Sequence, residues 1–422
     1  MSRSATALVD DATGVAEIAA AIAGAGSFAI DLEFVSEDRY VPELALVQVA
    51  WGDPAAPEVA AIDPLAVDPR PVFELVADPA IEVVAHAARQ DLGLLTTSFA
   101  VTARGFVDTQ IASSFAGLPD QIGYARMVQH LFGVALDKGP QHTDWRRRPL
   151  SDRQLRYALD DVRHLLPAWA ELRARLDQRG RLSWAREESL RMSESVARRR
   201  PPEEVYRQIG GWVGLKGPAL SVLRELAAWR EREALASNTP PSWILADPAL
   251  IELARRPPRD AGELARVRGV NAAARRHADA ILAAVAAASG HAVTVDTARP
   301  LGARGQAQAA MVTAIVQARC GEADVPVRLV GGRGDAEALV ASFEALASGA
   351  PQVEGAEGAV PAPTPMLLEG WRHEVAGRHA MAWLRGETAL AADPASPGGL
   401  RTIELAAEPG ADGAPGATRK RT

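Results

Sequence analysis

In the first 120 or so residues, short apolar stretches bounded by turn residues alternate with segments whose apolar positions recur at helical spacing. "FAIDLEF", "ELALVQVAW", "EVAAIDP", "IEVVAHA" and "GFVDTQ" read as strands. "GVAEIAAAIAGAG" before them and "RQDLGLLTTSF" among them read as helices. The first three strands follow at short spacing, which predicts an antiparallel meander. The later ones are separated by helical stretches, which predicts a parallel part. The class is therefore α/β, a mixed sheet with flanking helices. In the first strand, side chains alternate between faces, so Phe28, Ile30, Leu32 and Phe34 share one side while Asp31 and Glu33 share the other. Neighbouring carboxylates repel each other, and burial sharpens the penalty. Their presence in an apolar strand needs a physical explanation.

Beyond about residue 122 the pattern is helical. "SDRQLRYALDDVRHLLPAWAELRARL" opens on Ser151 as an N-cap. "ARRRPPEE" is charged and Pro-rich, a linker signature placed at 196–207. A helical block follows at 208–291, with "LSVLRELAAWREREALASN" as its clearest amphipathic helix. A second all-α block covers 299–392, and the Gly/Ala/Pro-rich tail 393–422 is expected to be disordered.

Length and composition narrow the classes. At 422 residues with 48% hydrophobic content, the chain has material for two or three domains. Its net charge of −7 gives no general attraction to nucleic acid, so such binding must come from local patches; residues 144–200, with 15 Arg against 9 acids, supply one. Cys320 is the single cysteine, which excludes an internal disulfide and CxxC zinc sites. The absence of a signal-peptide core or an 18-residue apolar run points to a soluble, cytoplasmic protein. Nothing suggests a coiled coil, and a monomer is expected.

Asp91 in "HAARQDLGLL" stands where a strand gives way to a helix. Asp161 in "YALDDVRHLL" lies on the long helix, four residues after Tyr157 and hence on the same face. Four acids from three elements can converge on hard divalent cations, Mg2+ or Mn2+, whose charge offsets the repulsion. Two such ions about 3.5–4 Å apart suit phosphodiester hydrolysis, one activating water and the other stabilising the leaving oxygen. Tyr157 would orient the water; a phenol, with its usual pKa of about 10, makes a poor base.

The order of these motifs resembles the three exonuclease motifs of the DEDD superfamily, in its tyrosine-containing (DEDDy) branch. "IDLEFVSEDRYVPELALVQVA", "AIDPL", "HAARQDL", "VDTQIAS", "LDKGPQHTDWRRRPLSDRQLRYALDDVRHLLP" and "WAREE" resemble ribonuclease D in particular. The resemblance implies a ribonuclease-H-like (DnaQ-like) domain over 1–195 and metal-dependent 3′→5′ exonucleolysis that releases 5′-mononucleotides. It makes Asp31, Glu33, Asp91 and Asp161 the metal-binding acids and Tyr157 the water-orienting residue. Leu32 departs from the family's usual Thr between the first two acids. The second block, carried by "ALSVLRELAAWREREALASNTPPSWILADPALIELARRPPRDAGELARVRGV", is similar to an HRDC domain, a helical module that implies nucleic-acid binding. Lys216, Arg224, Arg255, Arg256, Arg275 and Arg276 are its candidate phosphate contacts. "LLEGWRHEVAGRHAMAWL" resembles the C-terminal helical domain of ribonuclease D.

Around the acids, Phe34 is a candidate to stack on a terminal base. His86, Lys138, His142, Arg146, Arg147 and Arg148 are candidate substrate contacts, each weighed against ordinary packing or solvated charge. Asp160, about 100° around the helix from Asp161, should point elsewhere. Asp108 is placed to support the site from behind. The leading reading is an exoribonuclease trimming the 3′ ends of tRNA precursors and other small structured RNAs. Its rivals are the same chemistry on DNA and a non-catalytic RNA-binding protein; the latter would be expected to have lost an acid.

Overall fold

The computed structural model describes residues 8–136, 143–198, 200–288, 301–347 and 364–405. The chain divides into two compact units, Met1–Val295 and Asp296–Thr422.

The first unit opens with β1 (Leu8–Val9) and α1 (Ala12–Ala25), whose N-cap Asp11 accepts from the Gly14 N–H. Gly26, left-handed at φ 71°, ends the helix and turns the chain directly into β2 (Ser27–Val35). Strands β3 (Glu43–Trp51), β4 (Glu58–Ile62), β5 (Glu82–Ala85) and β6 (Phe106–Asp108) complete a sheet ordered β1-β4-β3-β2-β5-β6. As expected, β2, β3 and β4 form an antiparallel meander, and β5 and β6 extend the other edge in parallel. The two-residue β1, parallel to β4, is too short for periodicity to reveal.

One face of the sheet packs Phe28, Ile30 and Leu32 against α1, α2 (Arg70–Val76) and α3 (Arg89–Phe99). Each such fully buried side chain contributes roughly 1.5–3 kcal/mol. The opposite face receives α6 (Asp152–Arg163), with Leu46 and Ala61 of the sheet against Ala158 and Leu159 of the helix. The intervening helices are α4 (Thr109–Phe115) and α5 (Tyr124–Phe132), and α7 (Leu165–Gln178) and α8 (Leu182–Ala197) follow.

The expected linker at 196–207 needs correcting at both ends. Helix α8 runs to Ala197, and Pro202–Gln208 is a 3-10 helix whose Val205 and Tyr206 are buried. Its charged residues masked this apolar pair. Tyr206 joins a core with α9 (Pro218–Ser237), α10 (Pro241–Ile244), α11 (Asp247–Arg255), α12 (Ala261–Arg266), α13 (Ala272–Arg275) and α14 (Ala278–Ala287). The loop leaving β2 is fastened to α9: the Tyr40 hydroxyl donates to Glu231, and the Val41 N–H donates to Asn238 Oδ1 at 2.8 Å.

The second unit is helical through α15 (Ala303–Ala323), α16 (Val327–Val330), α17 (Arg333–Ala347), α18 (Gly370–Arg372) and α19 (Arg378–Leu384). It is not all-α, and the expected disordered tail starts too early. An antiparallel hairpin of β7 (Thr388–Ala392) and β8 (Leu400–Glu404) closes it. The Gly/Pro richness read as disorder includes the turn of this hairpin. At Gly398 a Cβ would come within 2.2 Å of the Ala318 carbonyl oxygen, so glycine permits the close approach to α15. Residues 406–422 lie outside the described residues.

Candidate active site

Strand alternation places Asp31 and Glu33 together on the face of β2 toward α6, while Leu32, only 5% exposed, enters the opposite core. The Leu32 departure from the family pattern is thus a packing feature. A register shift at Glu33/Phe34 lets Phe34 pack at the core's edge and also line the cleft.

Asp91 lies in the first turn of α3. The turn before it, with Ala87 at φ 54°, is held by Asp108, which is buried and caps α4. Asp108 accepts from Ala87 N (3.2 Å), Ala88 N (3.0 Å), Gln110 N (2.8 Å) and Ile111 N (3.3 Å). These four N–H donors, two at a helix N-terminus, stabilise the buried carboxylate and fix where α3 begins.

Helix α6 presents the remaining groups. Ser151 caps it as expected, in a reciprocal box with Gln154 worth about 1 kcal/mol. The helix buries Ala158, Leu159 and Val162 and turns Tyr157 and Asp161 into the cleft. Tyr157 donates a hydrogen bond to Asp161, and its ring stacks on buried Trp145 with centroids 6.2 Å apart.

Asp31, Glu33 and Asp161 offer oxygen atoms all within 4.8 Å of one another. Asp91 lines the same cleft, a cavity of about 450 Å³. Burial, then the charges of Asp91, Asp161 and Glu33, hold Asp31 well above the usual carboxylate range. Burial, followed by Asp161 and Asp91, pushes Glu33 up to about 8. Burial raises Asp91 to about 7, opposed by a backbone hydrogen bond and reinforced by Asp108. Burial also brings Asp161 to about 7 despite the Tyr157 hydrogen bond. A purely oxygen donor set that resists carrying four negative charges fits hard divalent cations, which would neutralise it.

The other candidates separate. Arg148 is committed within the fold: Nε–H and Nη2–H reach Asp63, a second Nη2 contact goes to the Ala45 carbonyl, and Nη1 serves the Trp145 and Arg147 carbonyls. All five guanidinium hydrogens are engaged, so its expected phosphate contact is corrected to a clamp on its own chain. His86 lines the cleft, and its ring is tied into the fold, with Nδ1 2.9 Å from Thr109 Oγ1 and Nε2 3.1 Å from the Ile122 carbonyl. Arg146 pairs with Asp144 at 3.0 Å, and Arg147 is exposed. Lys138 and His142 lie outside the described residues. Asp160 points away and pairs with Arg163.

Sequence reasoning missed Tyr124, Ser36 and Gln90, which also line the cleft. Tyr124 donates to the Asp160 carbonyl at 2.7 Å and accepts from His164 N at 3.3 Å, fastening the end of α6. Nothing in "GYARMVQHLF" beyond an amphipathic helix signals this.

Comparison with known proteins meets this geometry. A 3′-5′ exonuclease family profile matches residues 6–177, and an HRDC domain profile matches residues 219–285. Ribonuclease D of Gluconacetobacter diazotrophicus is 36% identical over 86% of this chain and 89% of its own length. The chain belongs to the ribonuclease D family. Ribonuclease D of Sphingobium indicum, another relative, is 35% identical over 91% of this chain and 96% of its own. The crystal structure of Escherichia coli RNase D superposes with a TM-score of 0.79 at 26% identity, covering 90% of this chain and 98% of that one. Membership makes the chain a metal-dependent 3′–5′ exoribonuclease with a ribonuclease-H-like sheet. Among the described residues, no helix is long and apolar enough to cross a membrane.

Proposed function

We propose that this ribonuclease D-type enzyme trims the 3′ ends of tRNA precursors and other small structured RNAs, one 5′-mononucleotide at a time, with two Mg2+ or Mn2+ ions. The convergence of Asp31, Glu33, Asp91 and Asp161 beside Tyr157 in one cleft carries this reading. The four carboxylates would hold the ions, which when bound lower the pKa of a water and stabilise charge on the leaving oxygen. Tyr157, braced by Trp145, orients the attacking water from the Asp161 side. Phe34, on the cleft wall, packs against the terminal base. The exposed Lys216, Arg255 and Arg276 of the HRDC domain grip the phosphate backbone of the RNA body. The E. coli relative is an exoribonuclease involved in structured RNA processing, which supports this substrate class.

The test is digestion of a 3′-extended tRNA precursor with Mg2+, followed by sequencing of product 3′ ends. Asp31→Ala and Asp161→Asn should each abolish trimming, and matched single-stranded DNA should be a poorer substrate. Trimming that survives both substitutions unchanged would refute the reading.

A further inference from the structure

Gln48 sits in the middle of β3 and is fully buried. Among the described residues, neither its amide nitrogen nor its amide oxygen has a hydrogen-bond partner. A buried amide in that state is unfavourable, and native cores satisfy such groups. Its cross-strand neighbours are Asp31 on β2 and Ala61 on β4. Residues directly opposite in an antiparallel pair share a face with Cβ atoms roughly 4.5–5.5 Å apart. Along β3, the same face is continued by Leu46 and Ala50, both buried. Among these strand neighbours, Asp31 is therefore the polar one.

We propose that Gln48 is a positioning residue for Asp31: its amide N–H group donates to the carboxylate when that carboxylate holds a divalent cation. The proposal rests on the reading of Asp31 as a cation-binding acid. A ligating carboxylate has lone pairs left over, and a donor behind it fixes which oxygen faces the ion. Among the described residues, Gln48 brings two N–H hydrogens that no other group holds, from a buried position outside the cleft lining.

The test uses the full chain and Mn2+ alone, with binding followed by calorimetry and thermal unfolding measured in EDTA. Gln48→Met keeps the volume and removes the amide. It should unfold in EDTA at the wild-type temperature or above, because an unsatisfied polar group has gone. Its Mn2+ affinity should fall about 10–100-fold, with kcat on RNA reduced and KM unchanged. Asp31→Asn is measured in parallel. Wild-type Mn2+ affinity in Gln48→Met, alongside weakened binding in Asp31→Asn, overturns the proposal and leaves the site reading intact. Wild-type affinity in both variants overturns both. A lower unfolding temperature in EDTA with unchanged Mn2+ affinity marks a packing role and also overturns the proposal. Should Gln48→Met not fold, Gln48→Leu is read by the same criteria.

Discussion

Arg148 donates two hydrogen bonds to the carboxylate of Asp63, from Nε at 2.5 Å and from Nη2 at 2.6 Å. Asp63 is buried, and the same guanidinium also holds the Ala45 and Trp145 carbonyls. Removing Arg148 would strand a buried charge. Arg148→Met should therefore destabilise the fold by about 3 kcal/mol in denaturant unfolding. Arg148→Lys should recover little, because an ammonium cannot reproduce the planar fork. KM for a short RNA, measured where the variant is folded, should stay near wild type; a large rise in KM without lost stability would return Arg148 to the substrate.

Tyr157→Phe removes the hydroxyl and leaves the stack on Trp145. We expect kcat to fall about 100-fold while Mn2+ still binds. The Tyr157 hydrogen bond lowers the Asp161 pKa, so its loss raises that value further above about 7. The acid limb of Mn2+ binding against pH should move to higher pH. An unmoved limb would contradict the bond.

The acids also set a pH dependence of stability. Glu33 at about 8 and Asp91 and Asp161 at about 7 lie above the unfolded range of about 4. The cation-free folded state thus binds more protons than the unfolded one between those limits, and stability falls as pH rises through them. Calorimetric unfolding in EDTA should give a lower Tm at pH 8.5 than at pH 5.5. Mg2+ should restore most at the higher pH, where protons no longer compete with it. A Tm in EDTA that rises across this range would contradict the burial of the cluster.

Asp108→Asn places an amide where four backbone N–H groups now find acceptors. At least one N–H is left facing a donor, which costs about 1–3 kcal/mol. Because two of those bonds hold the turn before Asp91, Mn2+ affinity should drop as well. Loss of stability with untouched affinity would separate the turn from the site.

Much of this was legible in the residues. The five main strands announced themselves by apolar runs between turns, and Ser151 and the Tyr157–Asp161 spacing fixed the face of α6. Single-letter spacing could not show what depends on long-range partners. Arg148 looks like a loop charge until Asp63, 85 residues earlier, is seen beside it. Gln48 looks like one polar residue in a strand until register sets it opposite Asp31. The hairpin at Thr388–Glu404 hid in a Gly/Pro-rich stretch because turn residues and disordered segments share a composition.

Tyr40 and Val41 reach out of the loop that follows Phe34 and fasten onto Glu231 and Asn238. A fragment cut near residue 200 would keep every acid yet lose both moorings. Kinetics collected on such a truncated piece would describe an untethered rim, and differences from the intact enzyme would be due to this strap as well as to the missing HRDC domain.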